Sequence, residues 1–481
     1  MTPMMRQYHE AKAACGDALL FFRMGDFYEL FLDDAKVAAK ILGLNLTSRD
    51  KDSDNPTAMA GFPHHQLDSY LQKLIKAGFR AAVCEQVEDP KTAKGLVKRE
   101  VTRIVSAGTL TDDGLLNPNE ANYVAAVCLQ HDKRGGKANE EPQVGIAWAE
   151  LSSGRFEAGT FAKSRIEDEL ERIGPAEVIF REDDVHFSPD TTASWSWTPR
   201  PAWSFAEDSA TETLCKQLSV HNLEGFGFEP TDVPAIRAAG AVLTYLQETQ
   251  RSGLDHFQTL TSHRRSGFLQ IDAATRRSLE ITRTLRSGSR EGSLLGVIDL
   301  TCTPMGSRLL ADWISAPLIN TTGINHRLDA VEMLSAETGF RADIQKTLNQ
   351  TFDLTRLLGR IATGRTGPRD LQQIARTLAS LPLLKAHLAG RPPERLCFID
   401  AHLHLCPDLR KKLESGLADE CPLSAADGNF IREGFDTELD ELRTLAKGGK
   451  EWIAAYQRDQ MEQTGISNLK VGYNKVFGYY L

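Results

Sequence analysis

A short segment near the N-terminus, residues 25–29, combines residue types that suit contact with the bases of a duplex. Gly25 and Asp26 indicate a turn, after which Phe27 begins an extended segment. Side chains two residues apart in a strand project from the same face, so Phe27 and Glu29 should point one way and Tyr28 the other. A phenylalanine at the start of a strand can enter a base step and stack there.

Stacking of this kind would be selective for weakly paired bases. Unstacking a duplex costs about a few kcal/mol per step, and the cost is lowest where pairing is already lost. Discrimination could then depend on deformability, without reading of base sequence. Phosphates nearby would favour the protonated form of Glu29, and a hydrogen bond to a base edge would have to compensate. The same residues also allow a plainer interpretation, with Phe27 in the core and Glu29 as an ordinary surface residue.

A basic stretch between residues 91 and 103 could contact phosphates through counterion release. It carries five cationic side chains against Glu100 alone, and they are Lys91, Lys94, Lys98, Arg99 and Arg103. The net charge of −9 argues against a protein that coats a polyanion, but nucleic-acid binding depends on local patches. A solvated surface face is the alternative interpretation of this stretch.

Other kinds of site find little support in the residue spacing. Cys397, His402, His404 and Cys406 could suit zinc, but their spacing matches none of the usual structural sites, and helix and loop residues around Pro407 are the simpler interpretation. A phosphate loop needs G-x-x-x-x-G-K-[ST]. The segments 135–138 and 448–451 lack the upstream glycine and the final hydroxyl. We therefore assign no catalytic residue, metal ligand or ATP site.

The elements that must position the segment around Phe27 are strands and helices of a small α/β domain at residues 1–116. We predict strands at residues 18–24 and 27–32, a helix that begins at Asp33 and Asp34, a turn at residues 59–63, a helix that contains Leu67 and Leu74, and a closing strand at residues 81–87. This arrangement places residues 25–29 at a reversal of chain direction.

Three further regions follow. A linker at residues 117–120 leads into a connector (117–245) with strands at 123–129, 144–149 and 178–180 and a helix at 166–173. Residues 246–435 are mainly helical, with Asp272 capping a helix that contains Leu279 and Ile281, and with Thr303 and Pro304 beginning another. Residues 436–481 form a long helix and then two strands. Because the chain stops within a strand, we expect a truncated product.

Bulk composition fits a multidomain cytoplasmic protein. The 481 residues suggest three or four domains at roughly 100 to 200 residues each. The hydrophobic fraction of 41% and charged fraction of 25% are usual for globular proteins in water. No apolar run approaches the ~18 residues of a membrane-spanning helix, and the N-terminus is polar. Eight cysteines without a C-x-x-C pair are expected of reduced thiols in the cytosol.

Residues 23–31, Arg-Met-Gly-Asp-Phe-Tyr-Glu-Leu-Phe, resemble the Phe-x-Glu mismatch-binding motif of the MutS family. Five further segments resemble the family in the same order, and they are 59–65, 84–86, 271–277, 303–308 and 469–474. The resemblance covers essentially the whole chain. It implies a mixed α/β mismatch-binding domain, a ribonuclease H-like α/β connector, a long-helix core with lever arms and the start of a β clamp.

The resemblance also implies roles for individual residues. Phe27 would be the stacking wedge and Glu29 would contact the displaced base. Met59, Gly61, Phe62 and Pro63 would lie in the minor groove near the lesion. Clamp contacts to phosphates would come from Lys470, Asn474 and Lys475, although these three could equally be plain surface residues. Apart from the resemblance, Lys94 and Arg99 of the basic stretch are candidate phosphate contacts because of their charge.

Family membership would further imply partners and cofactors. The expected ligand is double-stranded DNA with mismatches or small insertion/deletion loops, and the expected location is the cytoplasm, at the nucleoid. Members form homodimers and act with a MutL-type repair protein. ATP and Mg²⁺ belong to a C-terminal ATPase domain for which this chain has no motif, so we expect neither cofactor nor enzymatic activity here.

The sequence also allows two alternatives to mismatch recognition. The connector could be a nuclease of ribonuclease H type, but such chemistry needs several carboxylates converging on metal ions. Residues 123–129 contain none, and Glu150 alone is insufficient. The chain could instead be a paralogue that binds branched DNA or ribosomes, but the presence of both Phe27 and Glu29 argues against that.

Overall fold

The structure is a computed structural model that describes residues 2–48, 56–88, 95–112, 114–130, 141–184, 195–251, 253–474 and 478–480. The chain divides into two compact units. One consists of Met1–Thr366 and Ser380–Leu403, and the other of Gly367–Ala379 and His404–Leu481. Sheets and helices together confirm the fold class predicted from the sequence, with mixed α/β domains followed by a largely helical region.

The N-terminal domain is built on a six-stranded sheet with the order β3-β4-β2-β1-β5-β6. Its strands are β1 (Leu19–Met24), β2 (Phe27–Phe31), β3 (Thr47–Ser48), β4 (Ala58–Pro63), β5 (Ala81–Gln86) and β6 (Arg99–Val105), and its helices are α1 (Pro3–Ala13), α2 (Leu32–Leu42) and α3 (Leu67–Lys76). Only the β1–β5 pair is parallel among the described pairs of this sheet.

Alternation of side chains along β1 and β2 creates two apolar layers, one on each face of the sheet. Phe21 and Tyr28 pack with residues of α2 and α3 on one face. Phe22 and Phe31 pack with Tyr8 of α1 on the other. Because both faces are covered, the hairpin formed by β1 and β2 lies in the centre of the domain and is held from both sides.

One prediction for this domain was wrong. Residues 59–63, predicted as a turn, belong to β4. Residues 99–103 of the basic stretch lie in β6, and their predicted contact with phosphates stays a prediction. Gly61 and Pro63, which suggested a turn, are in β4 for other reasons. Pro63 ends the strand, where a missing N–H is tolerated, and Gly61 lies against a neighbouring strand.

The connector contains a second six-stranded sheet with the order β11-β10-β7-β8-β9-β12. Its strands are β7 (Tyr123–Leu129), β8 (Gln143–Glu150), β9 (Arg155–Ala162), β10 (Glu177–Arg181), β11 (Ser196–Arg200) and β12 (Thr261–Ser262), and its helices are α4 (Ile166–Ile173), α5 (Glu207–Leu218) and α6 (Val233–Thr249). Three antiparallel strands are extended by two parallel ones next to β7, which agrees with the predicted ribonuclease H-like α/β connector.

The remaining elements are almost all helical. They are α7 (Ala273–Ser278), α8 (Leu294–Ile298), α9 (Pro304–Ser315), α10 (Thr321–Ala336), α11 (Thr338–Leu348), α12 (Leu354–Ala362), α13 (Pro368–Leu388), α14 (Glu394–His402), α15 (Pro407–Gly416), α16 (Thr437–Thr464), β13 (Gly472–Asn474) and β14 (Gly478–Tyr480). Within the described ranges, we find no helix whose length and apolar character would let it cross a membrane.

Two helix N-caps predicted from the sequence are present in the structure. The Asp272 side chain accepts from the Thr275 N–H, and the Thr303 hydroxyl accepts from the Gly306 N–H, so both predicted N-caps are confirmed. The prediction that the first of these helices contains Leu279 and Ile281 was wrong. It ends at Ser278, and Glu280 has a positive φ of 47°, which a continuing helix excludes.

Candidate nucleic-acid interface

The corner between β1 and β2 is a tight hairpin that presents Phe27 to solvent. Gly25 has a φ of +57°, a conformation that glycine adopts without steric cost. The Asp26 carbonyl accepts a hydrogen bond from the His64 backbone N–H at 2.8 Å. The turn is therefore tied to the end of β4 as well as to its own strands.

Phe27 is 48% exposed, whereas Tyr28 is only 1% exposed and Glu29 is half-buried. Across the sheet, Phe27 lies between Met24 and Pro63, and Gly61 lies beside Glu29. Residues in register share a face. We refer to the surface formed by Met24, Phe27, Glu29, Gly61 and Pro63 as the wedge face. Phe27 and Glu29 project from the same face, as the two-residue spacing predicts.

An aromatic cluster supports β2 from the opposite face. The Tyr28 hydroxyl donates to Glu85, and the Arg23 guanidinium lies 5.5 Å from the centre of the Tyr28 ring. Burial is the main reason that the pKa of Tyr28 is raised. The Phe62 ring lies 4.3 Å from Tyr70 and 5.0 Å from Phe21 between ring centres. The strand that carries Phe27 is thus backed by tightly packed rings.

Phe62 requires a correction to the predicted set of minor-groove residues. Its ring is 1% exposed and belongs to the core, so its side chain is not available at the surface. Three other predicted residues of β4 differ: Gly61 is exposed, and Met59 and Pro63 are half-buried. Alternation along β4 explains the difference, because Phe62 projects from the opposite face to Gly61 and Pro63.

Arg99, predicted as a phosphate contact, lies among residues of the N-terminal domain. Its Nε donates to the Arg23 carbonyl at 2.7 Å, and its Nη1 donates to Gln7 Oε1 at 3.2 Å. Its guanidinium lies 5.4 Å from the centre of the Phe22 ring. Burial lowers the pKa of Arg99, and the nearby charge of Glu29 partly opposes this. These contacts connect β6 to the hairpin that carries Phe27.

The rest of the predicted basic stretch is partly neutralised. Lys98 pairs with Glu100 at 2.6 Å, and Arg103 pairs with Asp112 at 2.7 Å. Lys91 and Lys94 lie outside the described residues. In its described part, the stretch is therefore not a uniform cationic surface.

The predicted clamp residues belong to the second unit. Lys470 is exposed, and Asn474 is an exposed residue of β13 in register with Gly478 of β14. Lys475 lies outside the described residues. The phosphate contacts predicted for these three residues stay predictions.

Glu150, the carboxylate considered above for nuclease chemistry, takes part in contacts that stabilise the fold. Glu150 accepts from Ser152 at 3.0 Å and Ser153 at 2.7 Å, and it pairs with Arg356 at 3.2 Å. Within the residues that the structure describes, no group of three His, Cys, Asp or Glu side chains is placed to hold a metal ion. The nuclease alternative, which requires converging carboxylates, finds no support here.

Met24 is a member of the wedge face that the sequence interpretation did not identify. A two-residue turn at Gly25 and Asp26 fixes the hairpin register and places Met24 opposite Phe27. The signal was therefore present in the sequence, since the loop length alone determines this pair. Apolar side chains beside an inserted ring suit contact with the sugars and bases of a widened groove.

Gly61→Ala is expected to lower the free energy of unfolding by about 1–3 kcal/mol, the usual cost of overpacking. A Cβ at Gly61 would lie 2.9 Å from the Tyr28 carbonyl oxygen, so β4 would be pushed away from β2. Urea denaturation measures the change. Gly225→Ala is the matched control, because a Cβ there has no neighbour within 4 Å. Equal stability of the two variants would show that β2 and β4 do not require this close approach.

Three protein-family models match consecutive parts of the chain. The model for MutS domain I matches residues 2–114, that for MutS domain II matches residues 122–258, and that for MutS domain III matches residues 274–470. The domain limits that we predicted at residues 116, 245 and 435 stay predictions. The wedge face lies within the first matched range.

Curated bacterial relatives match along the entire chain, and each is named DNA mismatch repair protein MutS. Identity is 70% to the protein of Rhodopirellula baltica, 39% to that of Salinibacter ruber and 40% to that of Syntrophomonas wolfei. The matched region is 55%, 52% and 56% of these relatives, respectively. The chain thus spans about half the length of the curated relatives it matches.

Proposed function

This chain belongs to the MutS family, and from that premise we propose that it recognises mispaired or unpaired bases in double-stranded DNA by inserting the Phe27 ring. The observation that carries the proposal is the half-exposed Phe27 ring on a rigid hairpin whose neighbouring residue, Tyr28, is buried. An exposed ring on a mobile loop would lose entropy on insertion. Here the strand that carries the ring is already held by its packing and by its neighbouring strands, so less entropy is lost.

Glu29 is proposed to contact the displaced base. It projects from the wedge face beside Phe27, within one strand repeat, so a base opposite the inserted ring would come within its reach. A hydrogen bond from the base edge, or from the carboxyl group to it, would offset the repulsion between a carboxylate and phosphates. Phe27 would supply stacking, which costs least where base pairing is already lost, and Glu29 would add a hydrogen bond to a base that has lost its partner.

Contacts with the phosphate backbone of the DNA are proposed to supply affinity that does not depend on base sequence. Lys470, Asn474 and Lys475 would contact phosphates, and binding should weaken as salt increases. In a longer protein with the ATPase domain, we propose homodimer formation, a MutL-type partner and use of ATP and Mg²⁺. For the present residues we propose mismatch binding in DNA repair, in the cytoplasm at the nucleoid, with no catalysis.

A competition experiment tests this function. Fluorescence anisotropy would follow a labelled duplex with one G·T mispair as unlabelled competitors displace it. We expect mispaired duplex and duplex with one unpaired base to compete better than matched duplex. Stronger competition by a branched junction than by the G·T duplex would favour the paralogue alternative. Magnesium-dependent cleavage of any competitor would favour the nuclease alternative.

A further inference from the structure

The linker between the N-terminal domain and the connector, residues 117–120, is held through its backbone. Each of its four carbonyl groups accepts a hydrogen bond from an arginine of the helical region. Arg356 donates to the carbonyls of Asn117 at 3.0 Å and Glu120 at 2.7 Å, Arg308 to that of Pro118 at 2.8 Å, and Arg290 to that of Asn119 at 2.8 Å. We call Arg290, Arg308 and Arg356 the arginine clasp.

Carboxylates hold the clasp arginines in position. Arg308 forms two hydrogen bonds with Asp353, at 2.6 and 3.0 Å, and Arg290 pairs with Asp299. Arg356 pairs with Glu150 of the connector at 3.2 Å. Each guanidinium can therefore be neutralised on one edge and donate to a carbonyl with its remaining N–H groups.

Two of the three clasp arginines are buried, since Arg356 is 4% exposed and Arg308 is 8% exposed. A linker carbonyl that lost its hydrogen bond to either arginine would not be fully hydrated in exchange, so the loss would be costly. The linker itself forms a turn, because the Asn119 N–H donates to Asn117 Oδ1 at 3.0 Å. Four residues that would ordinarily be a flexible connection are thus held in one conformation.

A second set of contacts restrains the same junction. Arg365 donates to Gln250 Oε1 at 2.8 Å and pairs with Asp112 at 3.8 Å, and Asp112 also pairs with Arg103 of β6. Burial lowers the pKa of Arg365 to about 10. The N-terminal domain is therefore attached to the helical region at its last residues through Asp112, and the linker is attached to it through residues 117–120.

We propose that the arginine clasp is the joint that fixes the orientation of the N-terminal domain and thereby positions Phe27 for insertion. Arg290, Arg308 and Arg356 are positioning residues, since they act through the linker backbone. The positioning role rests on the proposed mismatch binding. The rigidity of the joint does not.

Cleavage by a glutamyl endopeptidase tests the joint in the whole chain. Cleavage after Glu120 requires the linker to open, and its rate follows the population of the open form. Lysine keeps the charge but cannot bridge a carboxylate and a carbonyl as the planar guanidinium does. We expect Arg290→Lys to raise this rate about tenfold, the effect of one hydrogen bond, and Arg356→Lys to raise it further.

Arg391→Lys is the matched control. Arg391 pairs with Glu337 in the same helical region and donates to no linker carbonyl. Equal cleavage after Glu120 in wild type, Arg290→Lys and the control would overturn the joint. Arg290 is only half-buried, so this variant decides the question even if Arg356→Lys does not fold.

Measurements of DNA affinity distinguish two claims, that the arginine clasp holds the linker rigid and that it positions Phe27 for insertion. In Arg290→Lys we expect the ratio of mismatched to matched affinity to fall several-fold, with affinity for matched duplex unchanged. Faster cleavage with an unchanged ratio would overturn positioning and leave the joint. Absence of mismatch preference in wild type would instead reject the proposed function, while the cleavage rates would still test the joint.

Discussion

Phe27→Ala is expected to lower the preference for mismatched over matched duplex by about 5- to 150-fold, because base–aromatic stacking contributes about 1–3 kcal/mol per base. The ring is already half-exposed and Tyr28 forms the core contact of this strand, so the variant should fold normally. Salt-sensitive binding to matched duplex should persist, since it depends on phosphates. Competition binding with G·T and G·C duplexes measures the ratio.

Phe79→Ala provides the matched control for this experiment. Phe79 is 40% exposed in the same domain but lies outside the wedge face, so its removal should leave the ratio unchanged. A general loss of aromatic surface would affect both variants alike. Undiminished discrimination by Phe27→Ala would reject the assignment of Phe27 as the wedge.

Glu177→Ala is expected to lower the free energy of unfolding by about 3–5 kcal/mol, the range for removing one partner from a buried charged network. The Glu177 carboxylate is buried and accepts from the Thr198 hydroxyl at 2.6 Å, the Tyr245 hydroxyl at 2.7 Å and the Gly108 N–H at 3.1 Å. The Ser106 hydroxyl donates to it as well. Alanine would leave these buried donors without their acceptor.

Tryptophan fluorescence during urea denaturation reports this change, because four of the six tryptophans lie between residues 148 and 203. Glu182→Ala, at an exposed position directly after β10, is the control and should change stability by less than about 0.5 kcal/mol. Glu177→Gln keeps one acceptor oxygen and should be intermediate. Glu177→Ala with the stability of the control would show that the network contributes nothing to folding.

Local chemistry made several elements predictable from the sequence. A glycine–aspartate turn followed by alternating side chains defines the hairpin of β1 and β2, and hydroxyl and carboxylate caps define where helices begin. The half-exposed Phe27 beside a buried Tyr28 follows from the period of a strand. These features depend on residues that are only a few positions apart in the sequence.

Other features depend on contacts that local patterns do not contain. Gly61 resembles a turn residue in sequence, but its lack of a side chain permits the approach of the Tyr28 carbonyl. Arg99 resembles a surface cation, yet it donates to the Arg23 carbonyl, 76 residues away in the chain. The arginine clasp joins residues 171 to 239 positions apart, and nothing near residues 117–120 indicates which side chains will hold them.

Site-specific photo-crosslinking tests the central claim most directly. A benzophenone amino acid at position 27 keeps an aromatic ring on the wedge face and reacts only with atoms that it contacts. We predict that crosslinks from position 27 to a duplex with one G·T mispair map to the mispaired step and are largely absent from matched duplex. The same amino acid at position 79 should show no preference between the two duplexes. Crosslinks from position 27 that are spread evenly along both duplexes would contradict insertion of Phe27 at a mismatch.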